Sequence, residues 1–274
     1  MRPNWIGGGF VRLTLLSARL RPMLWGWLYN RLASRDKAGQ LLFMNFGYAE
    51  ENESLALKLE PQDEPFRYMI QLYAHVVSAI DLRGKDVLEV GCGRGGGGSF
   101  LVRYREPRFV TGVDLSEAAM EWCRQHMPFP NARWLQGRAD ALPVPDASVD
   151  VVVNVEASHC YPSMVGALSE VTRVLRPGGY FAVCDMRMSE GVATLDRSFD
   201  ESGLKRLEHR VITPQVLRAL DRTSPERELR IASRVPRLFR PALSGFVALK
   251  GTPLYNMLAT GKMTYLSYLL QKPE

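Results

Sequence analysis

The chain has 274 residues, of which 46% are hydrophobic, a value normal for a globular protein with a sizeable core. The whole formal net charge of +6 lies in residues 1–37, which hold seven basic residues and one acidic residue. The rest of the chain is therefore neutral, which argues against a nucleic-acid-binding face, and no nucleic-acid partner is predicted.

Four cysteines and four histidines are spread along the chain without the spacing of a metal site, so none is predicted. The cysteines also form no C-x-x-C pair. We therefore predict buried, reduced thiols and a cytoplasmic setting. The cysteines are Cys92, Cys123, Cys160 and Cys184.

Residues 10–33 are apolar and aromatic, but arginines divide them into runs too short to span a bilayer, which requires roughly 20 residues. They also lack the small-residue cleavage site of a signal peptide. Pro22 is predicted to separate two helices. Two interpretations of this basic arm stay open: helices that pack on the protein's own core, and an amphipathic segment in peripheral contact with an anionic membrane.

Residues 41–48 form an apolar run that ends in the turn-like set Asn45, Gly47 and Tyr48. Farther along, apolar residues recur at helical spacing and predict a helix over Glu64–Ile80. Residues 1–82 are therefore predicted to form a helical cap in front of a glycine-rich stretch.

This glycine-rich stretch follows a short apolar run, Val87–Val90, that is typical of a buried strand. Glycines occupy positions 91, 93 and 95–98, and a helix is predicted over Ser99–Tyr104. In such a strand–turn–helix arrangement the backbone can pass close to a ligand, because glycines have no Cβ atoms. The free N–H groups at the N-terminus of the helix also face the ligand.

Two kinds of ligand are compatible with this turn. Gly91-x-Gly93-x-x-Gly96 fits a dinucleotide-binding fingerprint, and Asp114 lies 18 residues beyond Gly96, near the ribose-binding acid of that fingerprint. Glu89, two residues before the first glycine, would repel a pyrophosphate. It would suit a ligand with a cationic end, such as the ammonium of a methionine moiety, and we favour this second kind.

Strands and helices alternate from Asp86 onward, which predicts a parallel sheet with helices on both faces. One helix is predicted over Ser116–His126, capped by Ser116, and another over Ser163–Leu175. Residues 189–221 are predicted as mixed helical, and 228–262 are left unassigned. The predicted strands are Asp86–Val90, Arg108–Val113, Ala132–Gln136, Val149–Asn154, Tyr180–Cys184 and Met263–Leu270.

Polar residues follow the strands, and ligands of such sheets bind outside the carboxyl ends of the strands. Asp114 follows the second strand, where a carboxylate can accept hydrogen bonds from both hydroxyls of a ribose. Asp140 follows the third strand, where an acid can accept from an adenine amino group. Each aspartate could instead cap a turn or face solvent.

Glu89-x-Gly91-x-Gly93-x-Gly95 resembles motif I of the class I S-adenosylmethionine-dependent methyltransferases. Four further stretches resemble this family in the right order: 112–116, 137–143, 148–152 and 175–179. The resemblance implies a Rossmann-like α/β fold, with a seven-stranded, mostly parallel sheet, and S-adenosyl-L-methionine as cofactor. The cofactor-binding residues that it implies are Glu89, Gly91, Gly93, Asp114, Leu115, Ala139, Asp140 and, through its backbone, Asn154.

Residues 43–48 and 154–162 resemble a narrower group, the phthiotriol dimycocerosate and fatty-acid methyltransferases, and more distantly natural-product O-methyltransferases. In such relatives N-terminal helices cover the cofactor, which would make Asn45 and Tyr48 lid residues. The implied organisation is an arm and lid over 1–82 and a core over 83–274, with an acceptor-binding insertion at about 189–262. A homodimer is left open.

A hydroxyl acceptor requires a base, and His159 follows the fourth strand on the side where the methyl group should point. Asp185 could orient its imidazole, and the resembling O-methyltransferases use this pair of residue types. Glu156 and Tyr161 are further pocket candidates. His159 could instead be a pocket residue without a base role, and Asp185 a turn residue.

We therefore predict an O-methyltransferase that acts on a hydroxyl or carboxyl group of a lipophilic small molecule. A carboxylate acceptor would need no base. Three alternatives stay open. One is a C- or N-methyltransferase or a cyclase that uses the same cofactor. The others are an NAD-dependent oxidoreductase and a membrane-associated binding protein with a catalytically dead site.

Overall fold

The computed structural model describes residues 42–52, 57–234, 237 and 240–274. The basic arm of residues 10–33 lies outside the described residues, so both interpretations of it stay predictions. The boundary at residue 82, the insertion at 189–262 and the homodimer also stay predictions. Within the described ranges, no helix has the length and apolar character that crossing a membrane requires.

The described residues form one seven-stranded sheet in the order β3-β2-β1-β4-β5-β7-β6, which confirms the predicted fold class. Strands β1 to β5 are parallel, whereas β7 is antiparallel to its neighbours β5 and β6. The strands are β1 (Asp86–Val90), β2 (Phe109–Asp114), β3 (Ala132–Gln136), β4 (Val149–Val155), β5 (Leu175–Met188), β6 (Lys205–Val211) and β7 (Met263–Gln271).

Helices cover both faces of the sheet, and strand β4 shows how the sequence requires this. Val151 and Val153 pack in the same cluster as Phe100, whereas Val152 between them packs in a second cluster with Leu168. Successive side chains of a strand point to opposite faces, so an unbroken valine run needs cover on both. The helices are α1 (Arg67–Val76), α2 (Gly96–Arg105), α3 (Glu117–His126), α4 (Met164–Val174), α5 (Val192–Asp200), α6 (Thr213–Arg234), α7 (Arg240–Phe246) and α8 (Pro253–Ala259).

Two predicted helices have different bounds in the structure. Helix α2 begins at Gly96 rather than Ser99, so the last three glycines belong to the helix and not to the turn. The helix predicted over Glu64–Ile80 is a 3-10 helix, Pro61–Phe66, followed by α1, which ends at Val76. Pro65 lies inside the 3-10 helix, and its missing N–H prevents a regular α-helix from starting earlier.

The stretch 189–221, predicted as helical, contains strand β6 between α5 and α6. This strand is mostly exposed and rich in charge, and it pairs only with β7 among the described strands. Charged residues are common on edge strands because they discourage pairing with other chains. They also hide the apolar alternation by which a strand is recognised in the sequence.

Backbone hydrogen bonds fasten residues 46–49 over the carboxyl edge of the sheet. The amide of Tyr48 donates to the carbonyl of Tyr68 (2.8 Å), and that of Ala49 donates to the carbonyl of Gln215 (3.1 Å). The amide of Phe46 donates to Oε1 of Glu156 at the end of β4 (2.5 Å). This segment is therefore tied to α1, α6 and β4 at once, and residues 42–45 directly before it line the cavity described below.

Candidate active site

A cavity opens at the carboxyl ends of β1, β2 and β4, where the order of the strands reverses. The glycine turn, the residues after β2 and β3 and the segment 42–45 bound it. The sequence-predicted site residues that line it are Asn45, Gly91, Gly93, Asp114, Leu115, Ala139, Asp140, Glu156 and Tyr161. Those that do not line it are Tyr48, Glu89, Asn154, His159 and Asp185.

The turn after β1 needs glycine for two reasons. Gly91 has a φ of +79°, a conformation that L side chains rarely adopt. A Cβ on Gly91 would also lie 2.3 Å from the Cβ of Ala157, which lines the same cavity. The turn and the residues after β4 therefore approach each other closely, and both line the cavity.

Asp114 lies at the end of β2 and holds the glycine turn. Its Oδ2 accepts a hydrogen bond from the amide of Gly93 and its Oδ1 from the amide of Ser116, both at 2.9 Å. Burial raises the pKa of Asp114, whereas these amides act in the opposite direction. The carboxylate thus reaches the cavity from a fixed position.

Arg138 and Asp140, which follow β3, form an ion pair at the cavity rim. Nε and Nη2 of Arg138 each donate to the carboxylate of Asp140 at 2.8 Å. This pairing lowers the pKa of Asp140. The side chain of Leu115, which is 43% exposed, and Ala139 add apolar surface to the cavity. A flat apolar surface beside a fixed carboxylate suits an aromatic ring that carries an amino group.

Asn154 lies just beneath the cavity and is 1% exposed. Its Nδ2 donates to the carbonyl of Val90 (2.9 Å) and to the hydroxyl oxygen of Tyr161 (2.5 Å). A carbonyl can only accept, so this contact fixes the orientation of the amide. Oδ1 of Asn154 is buried and has no partner among the described residues.

Glu89 is a residue of strand β1. It is 1% exposed and accepts a hydrogen bond from the hydroxyl of Tyr73 (2.7 Å), a residue of α1. Burial raises the pKa of Glu89 to about 8. Glu89 is not among the residues that line the cavity, but its Oε2 is buried without a hydrogen-bond partner among the described residues. The predicted contact with a cationic ligand end therefore stays a prediction.

Replacing Gly97 with alanine is expected to destabilise the fold by about 1–3 kcal/mol or more, the usual range for overpacking. A Cβ there would lie 2.2 Å from both Oε1 of Glu89 and Cε1 of Tyr73. Thermal and urea unfolding measure the change. Gly191→Ala is the matched control, because nothing lies within 4 Å of its Cβ position. Equal stability of the two variants would contradict this packing.

Glu156 closes the cavity at the end of β4. Its Oε1 accepts from the amide of Phe46 and from the hydroxyl of Tyr265, both at 2.5 Å. Glu156 also has a φ of +50°, a strained conformation for a residue with a side chain. Burial raises the pKa of Glu156 to about 7.

His159, which is partly buried, and Asp185, which is fully buried, form a pair next to this end of the cavity. Nδ1 of His159 lies 2.8 Å from Oδ1 of Asp185, and the amide of His159 donates to Oδ2 (2.7 Å). Ser158 and Arg187 also contact the carboxylate, at 2.6 Å and 3.0 Å. Burial alone would lower the pKa of His159, but Asp185 raises it well above its ordinary value. The pairing with Asp185 therefore favours the charged form of the imidazole.

Two further predictions change in detail. Asp185 does not end its strand, because β5 continues to Met188 through its antiparallel pairing with β7. Tyr48 is buried away from the cavity, where its ring stacks on His75 at 4.4 Å and its hydroxyl donates to Glu50 (2.9 Å). Asn45 lines the cavity, and its role as a lid residue stays a prediction.

Comparisons with known proteins identify this arrangement. A family model described as a methyltransferase domain matches residues 88–183. A probable phthiotriol/phenolphthiotriol dimycocerosates methyltransferase 2 of Mycobacterium ulcerans is 41% identical over 235 residues, 86% of this chain and 91% of the relative. The chain belongs to this methyltransferase family. A fatty-acid O-methyltransferase of Mycolicibacterium smegmatis is 36% identical over 246 residues, 90% of this chain and 89% of the relative.

The fold of this methyltransferase is also found among solved structures. A putative sarcosine dimethylglycine methyltransferase from Galdieria sulphuraria superposes with a TM-score of 0.69 at 19% identity, over 89% of this chain and 98% of that chain. The protein is an S-adenosylmethionine-dependent enzyme. The choice between this cofactor and NAD, which the glycine spacing left open, is decided by family membership.

The described residues fit S-adenosylmethionine. A Cβ at Gly91 would collide with Ala157, so the turn lines the cavity there with backbone alone, and Asp114 presents a carboxylate to the cavity. The partnerless Oδ1 of Asn154 is a buried acceptor next to the cavity residue Tyr161, and buried polar atoms normally have partners. An ammonium group at this end of the methyltransferase cavity would supply the missing donor.

Three residues that shape the methyltransferase site were not predicted. Tyr73 lines the cavity and binds Glu89, Arg138 fixes Asp140, and Tyr265 binds Glu156. Arg138 could have been found, because it lies two residues from a predicted acid. Tyr73 and Tyr265 had no local signal, since each meets its partner through the tertiary fold.

Proposed function

We propose that this enzyme methylates a hydroxyl or carboxyl oxygen of a lipophilic small molecule. The observation that carries the proposal is the position of Glu156, whose carboxyl group lines the cavity and is held through Oε1 by Phe46 and Tyr265. The named substrates of the relatives, dimycocerosates and fatty acids, support a lipophilic acceptor. An acid–base group at the methyl end suits transfer to oxygen, because a neutral hydroxyl is a poor nucleophile.

The cofactor-binding roles follow from the positions around the cavity. Asp114 would accept hydrogen bonds from the ribose hydroxyls, and Asp140 would lie at the adenine end with Leu115 and Ala139. Gly91 and the orphaned acceptor of Asn154 would face the methionine end. When bound, S-adenosylmethionine supplies an activated methyl group, and the chain's own residues orient the acceptor and handle its proton.

Glu156 is better suited than His159 to accept the proton of a hydroxyl. A base must be unprotonated at the operating pH, and the pairing of His159 with Asp185 favours the charged form of its imidazole. Glu156 has a pKa of about 7 and lines the cavity. We therefore assign proton removal to Glu156. The His159–Asp185 pair, predicted as base and orienting acid, would instead position the residues that follow β4.

With a fatty alcohol as acceptor, Glu156→Gln is expected to lower kcat by about 100-fold to 10,000-fold, the usual contribution of a general base. Glutamine keeps an oxygen for the amide of Phe46 but cannot accept a proton. The wild-type rate is expected to rise with pH through about 7, because the ionised form of Glu156 is the base, and the variant should lose this rise.

His159→Asn is the companion variant for this experiment, and it is expected to reduce kcat less than Glu156→Gln does. A large loss in His159→Asn with a normal pH profile in Glu156→Gln would return the base role to His159. Mass spectrometry and NMR of the product identify the methylated atom. Methylation at carbon or nitrogen, or a cyclised product without a new methyl group, would overturn the proposed O-methylation.

A further inference from the structure

Tyr161 lines the cavity, and its hydroxyl group has a hydrogen atom left to donate. Nδ2 of Asn154 donates one hydrogen to this hydroxyl oxygen (2.5 Å) and the other to the carbonyl of Val90. An amide nitrogen cannot accept, so the phenolic hydrogen needs another acceptor. Among the described residues, no protein atom accepts it. The hydroxyl is therefore an unused donor in the wall of the cavity.

The side chain that holds this hydroxyl also carries an unused acceptor. Asn154 is 1% exposed, and its Oδ1 has no hydrogen-bond partner in the described part of the chain. Burial raises the pKa of Tyr161 well above its ordinary 10, so the hydroxyl keeps its hydrogen at neutral pH. One donor and one acceptor thus lie side by side at the end of β4. Such a pair suits a ligand group that has a positive and a negative end.

The fold holds the hydroxyl of Tyr161 against the glycine turn. Its oxygen lies 3.7 Å from the Cβ position of Gly91. The amide of Tyr161 donates to the carbonyl of Ser158 (3.2 Å), and Ser158 and His159 are both bound to Asp185. The His159–Asp185 pair therefore fixes the short 3-10 helix that directly precedes Tyr161.

The two arginines in the described cavity lining contact other groups. Arg138 forms an ion pair with Asp140, and the guanidinium carbon of Arg94 lies 4.1 Å from the centre of the Trp122 ring. The described lining contains no lysine or histidine. A negatively charged ligand group beside the glycine turn therefore relies on neutral donors, of which the hydroxyl of Tyr161 is one.

We propose that the hydroxyl of Tyr161 binds the carboxylate of the cofactor's methionine moiety and makes the enzyme selective for the complete amino-acid end. The inference rests on the proposed function, in which Asn154 faces the methionine end. The ammonium would contact Oδ1 of Asn154, and the carboxylate would accept the phenolic hydrogen. A hydrogen bond to a charged acceptor is stronger than one to a neutral acceptor, so its loss is measurable.

The test measures ligand binding by calorimetric titration without a methyl acceptor. S-adenosylmethionine has an ammonium and a carboxylate, decarboxylated S-adenosylmethionine has only the ammonium, and methylthioadenosine has neither. Tyr161→Phe removes the hydroxyl and keeps the ring. It should weaken the binding of S-adenosylmethionine by about 10-fold to 100-fold and leave the affinities for the other two ligands little changed.

The wild-type protein provides a second measurement that does not depend on how the variant folds. It should bind S-adenosylmethionine more tightly than the decarboxylated form by about the same factor, and equal affinities would overturn the inference. Tyr255→Phe is the matched control, because it removes a phenolic hydroxyl that donates to Asp221 outside the cavity lining. This control should bind all three ligands as wild type does.

Two results for Tyr161→Phe would overturn the inference. Equal losses for all three ligands would mean that the hydroxyl only orders the wall of the cavity. Unchanged affinity for S-adenosylmethionine, with a raised KM for the methyl acceptor, would mean that the hydroxyl binds the acceptor instead. The titrations contain no acceptor, so methylation at carbon or nitrogen, which would overturn the proposed O-methylation, leaves their outcome unaffected.

Discussion

Replacing Asp114 with alanine is expected to weaken the binding of S-adenosylmethionine by about 100-fold or more. A hydrogen bond to a charged group contributes about 1.5–3 kcal/mol, and the carboxylate is placed to accept two from a ribose. Asp114 is the last residue of β2 and lines the cavity, and this position supports the role. Calorimetric titration with S-adenosylmethionine and S-adenosylhomocysteine measures the change.

Asp114 also holds the amides of Gly93 and Ser116, so part of the loss in the alanine variant will come from a loosened turn. Asp114→Asn separates the two effects, because it keeps one acceptor oxygen and removes the charge. Asp146→Ala removes an exposed carboxylate that does not line the cavity, and this variant should bind the cofactor as wild type does. Unaltered affinity in Asp114→Ala would exclude Asp114 from the cofactor site.

The positions of the strand-end acids could be predicted from the sequence for a simple reason. Parallel strands present their carboxyl ends at one edge of the sheet, so residues that follow different strands converge wherever strand order brings them together. Asp114 and Asp140 line one cavity although 26 residues separate them in the sequence. Their convergence needs only the correct strand assignment and not the details of packing.

Glu89 lies outside the cavity lining, and the sequence held the information for this placement. Leu88 and Val90 pack on one face of β1, so the alternation of a strand directs Glu89 to the opposite face, the one on which Val87 packs. That face is covered by α1 and α2, and Tyr73 meets the carboxylate there. A residue within the strand follows the pleat, whereas only residues beyond its end are free to face the ligand.

Contacts between distant segments could not be predicted from local patterns. Phe46, Glu156 and Tyr265 form one hydrogen-bonded group from three parts of the chain. The division of roles between Glu156 and His159 depends on these contacts, because they set the pKa values of the two groups.

Asp185→Asn is expected to lower the free energy of unfolding by about 3–5 kcal/mol, the usual cost of removing one partner from a buried ion pair. The side chain is 3% exposed, and asparagine keeps its shape. The substitution leaves two cations, His159 and Arg187, without their shared carboxylate. Asp200→Asn, which removes an exposed partner of Arg206, should cost less than about 1 kcal/mol.

The pH dependence of stability should distinguish this pair from an ordinary packing defect. Burial would raise the pKa of Asp185, but His159 and Arg187 hold it below its ordinary 3.8, so its stabilisation is present above that value and is lost as the pH falls. The pKa of His159 is raised above its ordinary 6.5, so its stabilisation is present below that value and is lost as the pH rises through the folded pKa.

Urea unfolding of both variants at acidic, neutral and alkaline pH tests this coupling. The advantage of wild type over Asp185→Asn should be largest at mildly acidic to neutral pH, where the carboxylate and the imidazolium are both charged, and smaller towards either extreme. A difference that stays constant with pH would mean that His159 is uncharged next to Asp185. The neutral imidazole could then accept a proton, and the argument that assigns the base role to Glu156 would lose its basis.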